Sequence, residues 1–273
     1  MYKKILRIPM IKILISTIAM APLVVCAQQI DLKTAEGHEL AIQYSDYKYE
    51  EPGLMNNKGG KLGLEIISNK KLTDDYFLTG SFRYAIGDVK YTGSGTKSGN
   101  QDHLWDLRLV GGKDIVIKDY VIAPYIGVGR RNLFNDLRGT TSTRAVGYRR
   151  NSEYIYIPIG VSHRVKLDGE SRITTTIEYN YLVSGRQTSY LSDVSTAYAA
   201  VFGDPVNKQT KGNGGKVSLS YDKSNWSTGI FYSRWNIGDS KVNTYRSGGT
   251  TYTVYEPKNN TNEIGVQVKY RFK

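Results

Sequence analysis

The last twelve residues, NEIGVQVKYRFK (Asn262–Lys273), decide how the rest of the chain is read. Ile264, Val266, Val268, Tyr270 and Phe272 share one parity, and Glu263, Gln267, Lys269 and Arg271 share the other. A strand repeats every two residues, so this segment has one apolar face and one charged face. In a soluble sandwich the apolar face meets a second sheet. In a barrel that crosses a membrane it meets hydrocarbon, and the charged face lines the interior.

Nine upstream segments carry the same or a related pattern. HELAIQYSDYKYE, GKLGLEIIS, YFLTGSFRYAI and HLWDLRLVGG come first, with Leu40, Leu64, Phe82 and Leu107 on their apolar faces. EYIYIPIGVSHR, RITTTIEYNYLV and KVSLSYD follow the same rule, whereas VIAPYIGVGRR and WSTGIFYSRWNI leave their facing open. The connections alternate in length. NKKLTDD, KDIVIKDY, LDGES and DKSN are tight polar turns. EEPGLMNNKGG, GDVKYTGSGTKSGNQD, NDLRGTTSTRAVGYRRNS and the two segments after the seventh and ninth strands read as long loops.

Short turns at one end and long loops at the other predict an up-and-down antiparallel transmembrane β-barrel of ten strands, each of about 9–12 residues. An even count also puts both chain ends on the short-turn side. Twenty-two tyrosines against 6 phenylalanines and 3 tryptophans suit such a barrel, because a tyrosine ring sits in the membrane boundary with its hydroxyl wet. Tyr44, Trp105, Tyr181, Tyr221 and Tyr270 stand near the ends of the apolar faces.

The N-terminus reads as an export signal. MYKKILRIPMIK is basic, ILISTIAMAPLVV is apolar but short for a spanning helix, and Val25-Cys26-Ala27 suits cleavage after Ala27. The expected organisation is a cleaved signal at 1–27, a periplasmic tail at 28–37 and the barrel at 38–273. Cleavage removes the sole cysteine and four cations, leaving a net charge of +8 and no thiol chemistry. No basic run or aromatic–basic motif points to nucleic acid. No cofactor or metal is expected, since no phosphate loop, metal cluster or nucleophile motif is present. Gly127-Val128-Gly129 lies on a strand and reads as a site of curvature.

The second face of the strands carries Glu65, Arg83, Asp106, Arg108, Glu178, Lys216, Glu263, Lys269 and Arg271. Ten strands make a narrow tube, so these charges are expected to pair and fill it, with Arg83, Arg108 and Arg271 finding partners among Glu65, Asp106, Glu178 and Glu263. A selective pore is the alternative.

The C-terminal IGVQVKYRFK resembles the last strand of Gram-negative outer-membrane barrel proteins. That resemblance implies that Val266, Val268, Tyr270 and Phe272 are read by the barrel-assembly machinery, although Lys273 follows where most members end on the aromatic. Residues 40–273, through YKYEEPGLM, FRYAIGDVKYTGSGT, NDLRGTTSTRAVGYRR and RQTSYLSDVS, are similar to small porin-like outer-membrane barrels of unassigned role. The resemblance implies the barrel fold and an outer-membrane location; the role expected from the residues is structural or surface interaction without catalysis, as a monomer in contact with lipid and lipopolysaccharide. Arg130, Arg131, Arg138, Arg144, Arg149 and Arg150 in the third outer segment are candidate contacts to lipopolysaccharide phosphates. In size and strand number the chain also resembles omptin proteases, which raises a rim protease using His103, Asp102 and Asp106 as a distant alternative.

Overall fold

The computed structural model describes residues 30–247 and 249–272. The expected signal segment, Cys26 and Lys273 lie outside them. Ten strands form the barrel: β1 Gly37–Glu51, β2 Met55–Lys71, β3 Tyr76–Gly93, β4 Gly95–Lys113, β5 Tyr120–Thr140, β6 Val146–Lys166, β7 Ser171–Ser189, β8 Gly212–Lys223, β9 Trp226–Ile237 and β10 Asn259–Phe272. Each pairs antiparallel with its sequence neighbours, β7 meets β8, and β10 closes on β1 with Ile42 opposite Val268 and Tyr44 opposite Val266. The up-and-down order and the count of ten are those read from the alternation.

The strand ends differ from the sequence reading. β5 and β6 each run 21 residues. At ~3.3 Å per residue that is ~70 Å of strand, far more than the ~25 Å apolar band of a membrane barrel requires. The first three outer segments expected as long loops are continuations of the hairpins. β1 turns into β2 across 52–54, β3 into β4 at Ser94, and β5 into β6 across 141–145. These stretches are rich in Gly, Ser, Thr and Lys and have no apolar stripe, because above the membrane the outer face is wet and the inner face buries polar residues such as Asn100 and Asn135 along with Val89 and Leu137. Backbone pairing extends them together with inward packing of Val89 and Leu137, and Gly95, at φ +122°, takes the tight turn. Only the last two outer segments are loops with structure of their own. One carries the helix Thr196–Phe202, and the other carries the hairpin Asn243–Ser247 with Thr250–Val254.

The two faces divide as the parity demands. Ile42, Leu64, Val266 and Ile230 point outward and are each more than half exposed. Each such side chain gains ~1.5–3 kcal/mol when hydrocarbon replaces water around it. The two segments of open facing are settled. On β5, Ile126 and Val128 look out and Arg131 in; on β9, Trp226, Ile230 and Tyr232 look out and Phe231 and Trp235 in. Aromatic rings border the band at both ends. Trp226 and Tyr270 pack at 4.8 Å near the short turns, and Tyr84, His103 and Phe134 stack near the outer edge. Above that edge the outward residues turn polar, as at the Asp46–Lys58 pair.

Glycines bring the wall close to the interior aromatics. A Cβ on Gly129 would enter the Tyr156 ring, and one on Gly214 would enter the Trp235 ring. Close approach, rather than the curvature expected from the Gly127–Gly129 motif, is what Gly129 supplies.

Candidate functional site

The interior is filled in layers. In the middle, Tyr47, Tyr154, Tyr156 and Trp235 close the cross-section together with Leu104 and Leu133, all of them buried. Trp235 lies edge-on to Tyr156 at 5.0 Å and stacked on Tyr154 at 6.3 Å. Lys61 sits among them with its side chain 0% exposed, paired with an equally buried Asp102. The ammonium also lies 4.0 Å over the Tyr47 ring, and the Asn135 amide donates to the same carboxylate. A buried lysine needs this completeness, since an unpaired charge here would cost several kcal/mol.

Towards the short-turn end the ion pairs continue. Arg83 grips Glu263 through Nη1 at 3.0 Å and Nη2 at 2.5 Å, and Ser45 donates to the same carboxylate at 2.6 Å. Gln43 accepts from Arg83 Nε at 2.5 Å and donates to Glu65 at 2.8 Å, linking the two acids. Asp106 accepts from the Tyr156 hydroxyl at 2.7 Å and lies 3.9 Å from Arg131. Arg108 pairs with Glu178, which also accepts from Tyr125 at 2.8 Å. Arg271 and Lys269 both meet Glu39, at 2.5 and 3.6 Å. Lys216 lies 5.6 Å over the Phe231 ring.

All nine acids and bases read from the inner parity therefore lie inside the barrel. Arg83 and Arg108 find partners from the expected set, while Arg271 takes Glu39, which the sequence reading passed over. Its signal was available, for Glu39 shares the parity of Gln43 and opposes that of Leu40.

Residues 30–36 are drawn into the short-turn mouth rather than trailing from it. The Thr34 N–H and hydroxyl donate to Asp114 at 2.7 and 3.1 Å, and Arg164 reaches the same acid at 2.7 Å. Arg172 donates to the Asp31 carbonyl at 2.5 Å and to Asp222 at 2.9 Å. Leu32 packs on Phe77, Val121 and Ala123. A cavity of about 230 Å³ remains between this cap and the central layer.

At the opposite, long-loop end lies a cup of about 500 Å³. Its walls include Leu54, Met55, Leu137, Leu191, Val254 and Pro257. At its base Arg150 joins Glu51, at 2.5 Å, to Glu256. The Tyr49 hydroxyl donates to Glu51 at 3.0 Å. Burial, with Glu51 close by, pushes the Glu256 carboxyl up to about 7 against the pull of Arg150.

The six arginines expected on the third outer segment separate. Arg131 and Arg150 turn inward, which corrects their placement at the outer surface. Both strands extend past these positions, and Arg150 shares the inward parity of Tyr154 and Tyr156. Arg149 is held by Asp193 at 2.8 and 2.9 Å, and Arg138 by Asp136 at 2.9 and 2.6 Å. Arg130 faces outward against Glu153 at 3.3 Å, and Arg144 is exposed at a positive φ of 69°.

The rim-protease constellation does not assemble. His103 is on the outer face of β4, stacked on Phe134 at 4.8 Å, while Asp102 and Asp106 point inward. His38 and His163 lie at the short-turn end, beside Phe272 and Tyr120. Successive strand residues point to opposite faces, so neighbours in sequence were the wrong place to seek a pair.

No family model and no curated protein matches the chain. Among solved structures, the outer membrane protease OmpT from Escherichia coli aligns with a TM-score of 0.53 at 12% identity, covering 86% of this chain and 95% of that one. The transport unit of the Escherichia coli autotransporter AIDA-I aligns at 0.43 and 9% identity, covering 89% and 93%. Ail of Yersinia pestis aligns at 0.31 and 10% identity, covering 87% and 100%. The chain has the fold of the bacterial outer-membrane β-barrel proteins.

Proposed function

We propose that this chain is exported by a cleaved signal, resides in the outer membrane of a Gram-negative bacterium, and serves as a non-catalytic surface-interaction barrel. The observation that carries this reading is the shut lumen: Tyr47, Asp102 and Leu104 are each 0% exposed and Lys61 1% exposed, around the middle of the tube. What projects outward is then the functional part, namely the tall β3–β4 and β5–β6 hairpins and the cup between them. Arg130 and Arg186 share Glu153 on the outer face, and their guanidinium forks suit lipid phosphates in this reading.

The test is planar-bilayer recording on the refolded full chain. The sealed reading expects no discrete conductance steps at moderate salt. It expects steps to appear in Trp235→Ala, which removes the largest ring of the central layer. Steps in the unaltered protein would overturn it in favour of a small passive pore.

A further inference from the structure

The charges around the cup are balanced in number but separated in space. At the base, two carboxylates, Glu51 and Glu256, with side chains 8% and 5% exposed, share one guanidinium. With Glu256 ionised, above about pH 7, that pole is one cation short. Lys97, on β4, also lines the cup; its ammonium donates to Asn100 Oδ1, and no described carboxylate pairs with it. That pole is one anion short. At the base, beside the two acids, Arg150 is 5% exposed, and its Nε–H has no acceptor. A buried donor without a partner is costly, and a ligand oxygen that reached it would recover that cost. Leu54, Met55, Leu137 and Leu191 give the walls apolar patches among tyrosine, hydroxyl and amide side chains, and the volume is in the range of small-ligand sites.

We propose that the cup binds a short zwitterion with an apolar body and an internal carbonyl, an apolar dipeptide in its chemistry. The ligand ammonium takes the pole at Glu51 and Glu256, its carboxylate takes Lys97, and its carbonyl accepts from Arg150 Nε. Its side chains displace water from Leu54, Met55, Leu137 and Leu191. This deepens the surface-interaction reading and rests on it, because a shut lumen is what makes the cup a site and not an entrance.

The experiment is calorimetric titration of the refolded full chain in detergent with leucylphenylalanine, its N-acetyl form and its C-terminal amide. The parent is expected to bind with a Kd of ~1 mM or tighter, and each blocked form at least ~10-fold more weakly. Glu256→Gln leaves a single carboxylate that Arg150 already neutralises, so it brings the parent down to the N-acetyl level and leaves the N-acetyl form unmoved. Lys97→Met does the same for the amide. Equal binding of parent and blocked forms overturns the proposal, as does no binding of the parent at ~10 mM. If either variant fails to refold, the three ligands on the unaltered chain decide alone. Recording from the same preparation separates the two ideas: silent bilayers with no binding sink the ligand and leave the sealed barrel standing.

Discussion

Arg83→Ala tests the sealed interior at its most explicit contact. Arg83 is 9% exposed and Glu263 is 2% exposed. The substitution removes the contacts at 3.0 and 2.5 Å to Glu263 and the 2.5 Å contact to Gln43. Hydrogen bonds to a charged group contribute ~1.5–3 kcal/mol each, and stripping the partner from a buried charge costs ~3–5 kcal/mol in all. Ser45 still donates to Glu263, at 2.6 Å, which keeps the expected loss near the lower end, ~3 kcal/mol. Removing both partners, in Arg83→Ala with Glu263→Ala, leaves no orphaned charge and is expected to cost less than the two single changes added together. Equilibrium urea unfolding of the barrel in lipid vesicles, followed by tryptophan emission, reads each value. A single-variant loss below ~1 kcal/mol would mean that water screens this pair as it does surface pairs, and the filled-lumen description would fall with it.

On the opposite face, Val266→Arg sets a cation in hydrocarbon and is expected to cost ~2–4 kcal/mol in the same assay; a loss under ~0.5 kcal/mol would place β10 with its other face to lipid. Gly129→Val drives side-chain atoms into Tyr156 and is expected to cost ~1–3 kcal/mol, part of it restored by adding Tyr156→Leu. Glu256 gives a pH signature. Its folded pKa, about 7, lies above the ordinary carboxyl value of 4.5, so its contribution is fully present below pH ~4.5 and is lost as pH rises through 7. Glu256→Gln holds that contribution at every pH, and should flatten the decline in stability between pH ~5 and ~8; an unchanged decline refutes this assignment.

The sequence showed the barrel because hydrocarbon imposes a rule on every second residue over ten separate stretches, and Val266, Val268 and Phe272 obey it as plainly as Ile42 and Leu64. The outer hairpins were hidden for the complementary reason. At GDVKYTGSGTKSGNQD and NDLRGTTSTRAVGYRRNS, water outside and a polar interior, with Asn100, Asn135 and Arg150 buried, remove the contrast between faces, and the backbone pairs without an apolar stripe to mark it. Placing Arg131 and Arg150 outside followed directly from ending the strands where alternation faded. The Arg150 contacts to Glu51 and Glu256, and the Thr34 contact to Asp114, join residues dozens to more than a hundred positions apart, and local pattern does not encode distance of that kind. What parity did encode was which charges go inside; which of them meet is decided by register and by side-chain reach, as Arg271 choosing Glu39 shows.

Where charges are left unbalanced then becomes informative. In the middle of the tube Lys61 has Asp102, Arg83 has Glu263, Arg108 has Glu178 and Arg131 has Asp106, while Glu65 and Lys216, which form no direct ion pair, line the same small cavity as charges of opposite sign. An odd charge there would cost several kcal/mol, and a sequence free to vary would replace it with an apolar residue. At the outer mouth the rule relaxes. Two acids divide one guanidinium and Lys97 has only an amide, beside the apolar patches of Leu54, Met55, Leu137 and Leu191. Stability alone favours Gln at Glu256 and Met at Lys97. Keeping both ionisable groups there, facing a cavity of about 500 Å³, makes sense if something else supplies the missing charges.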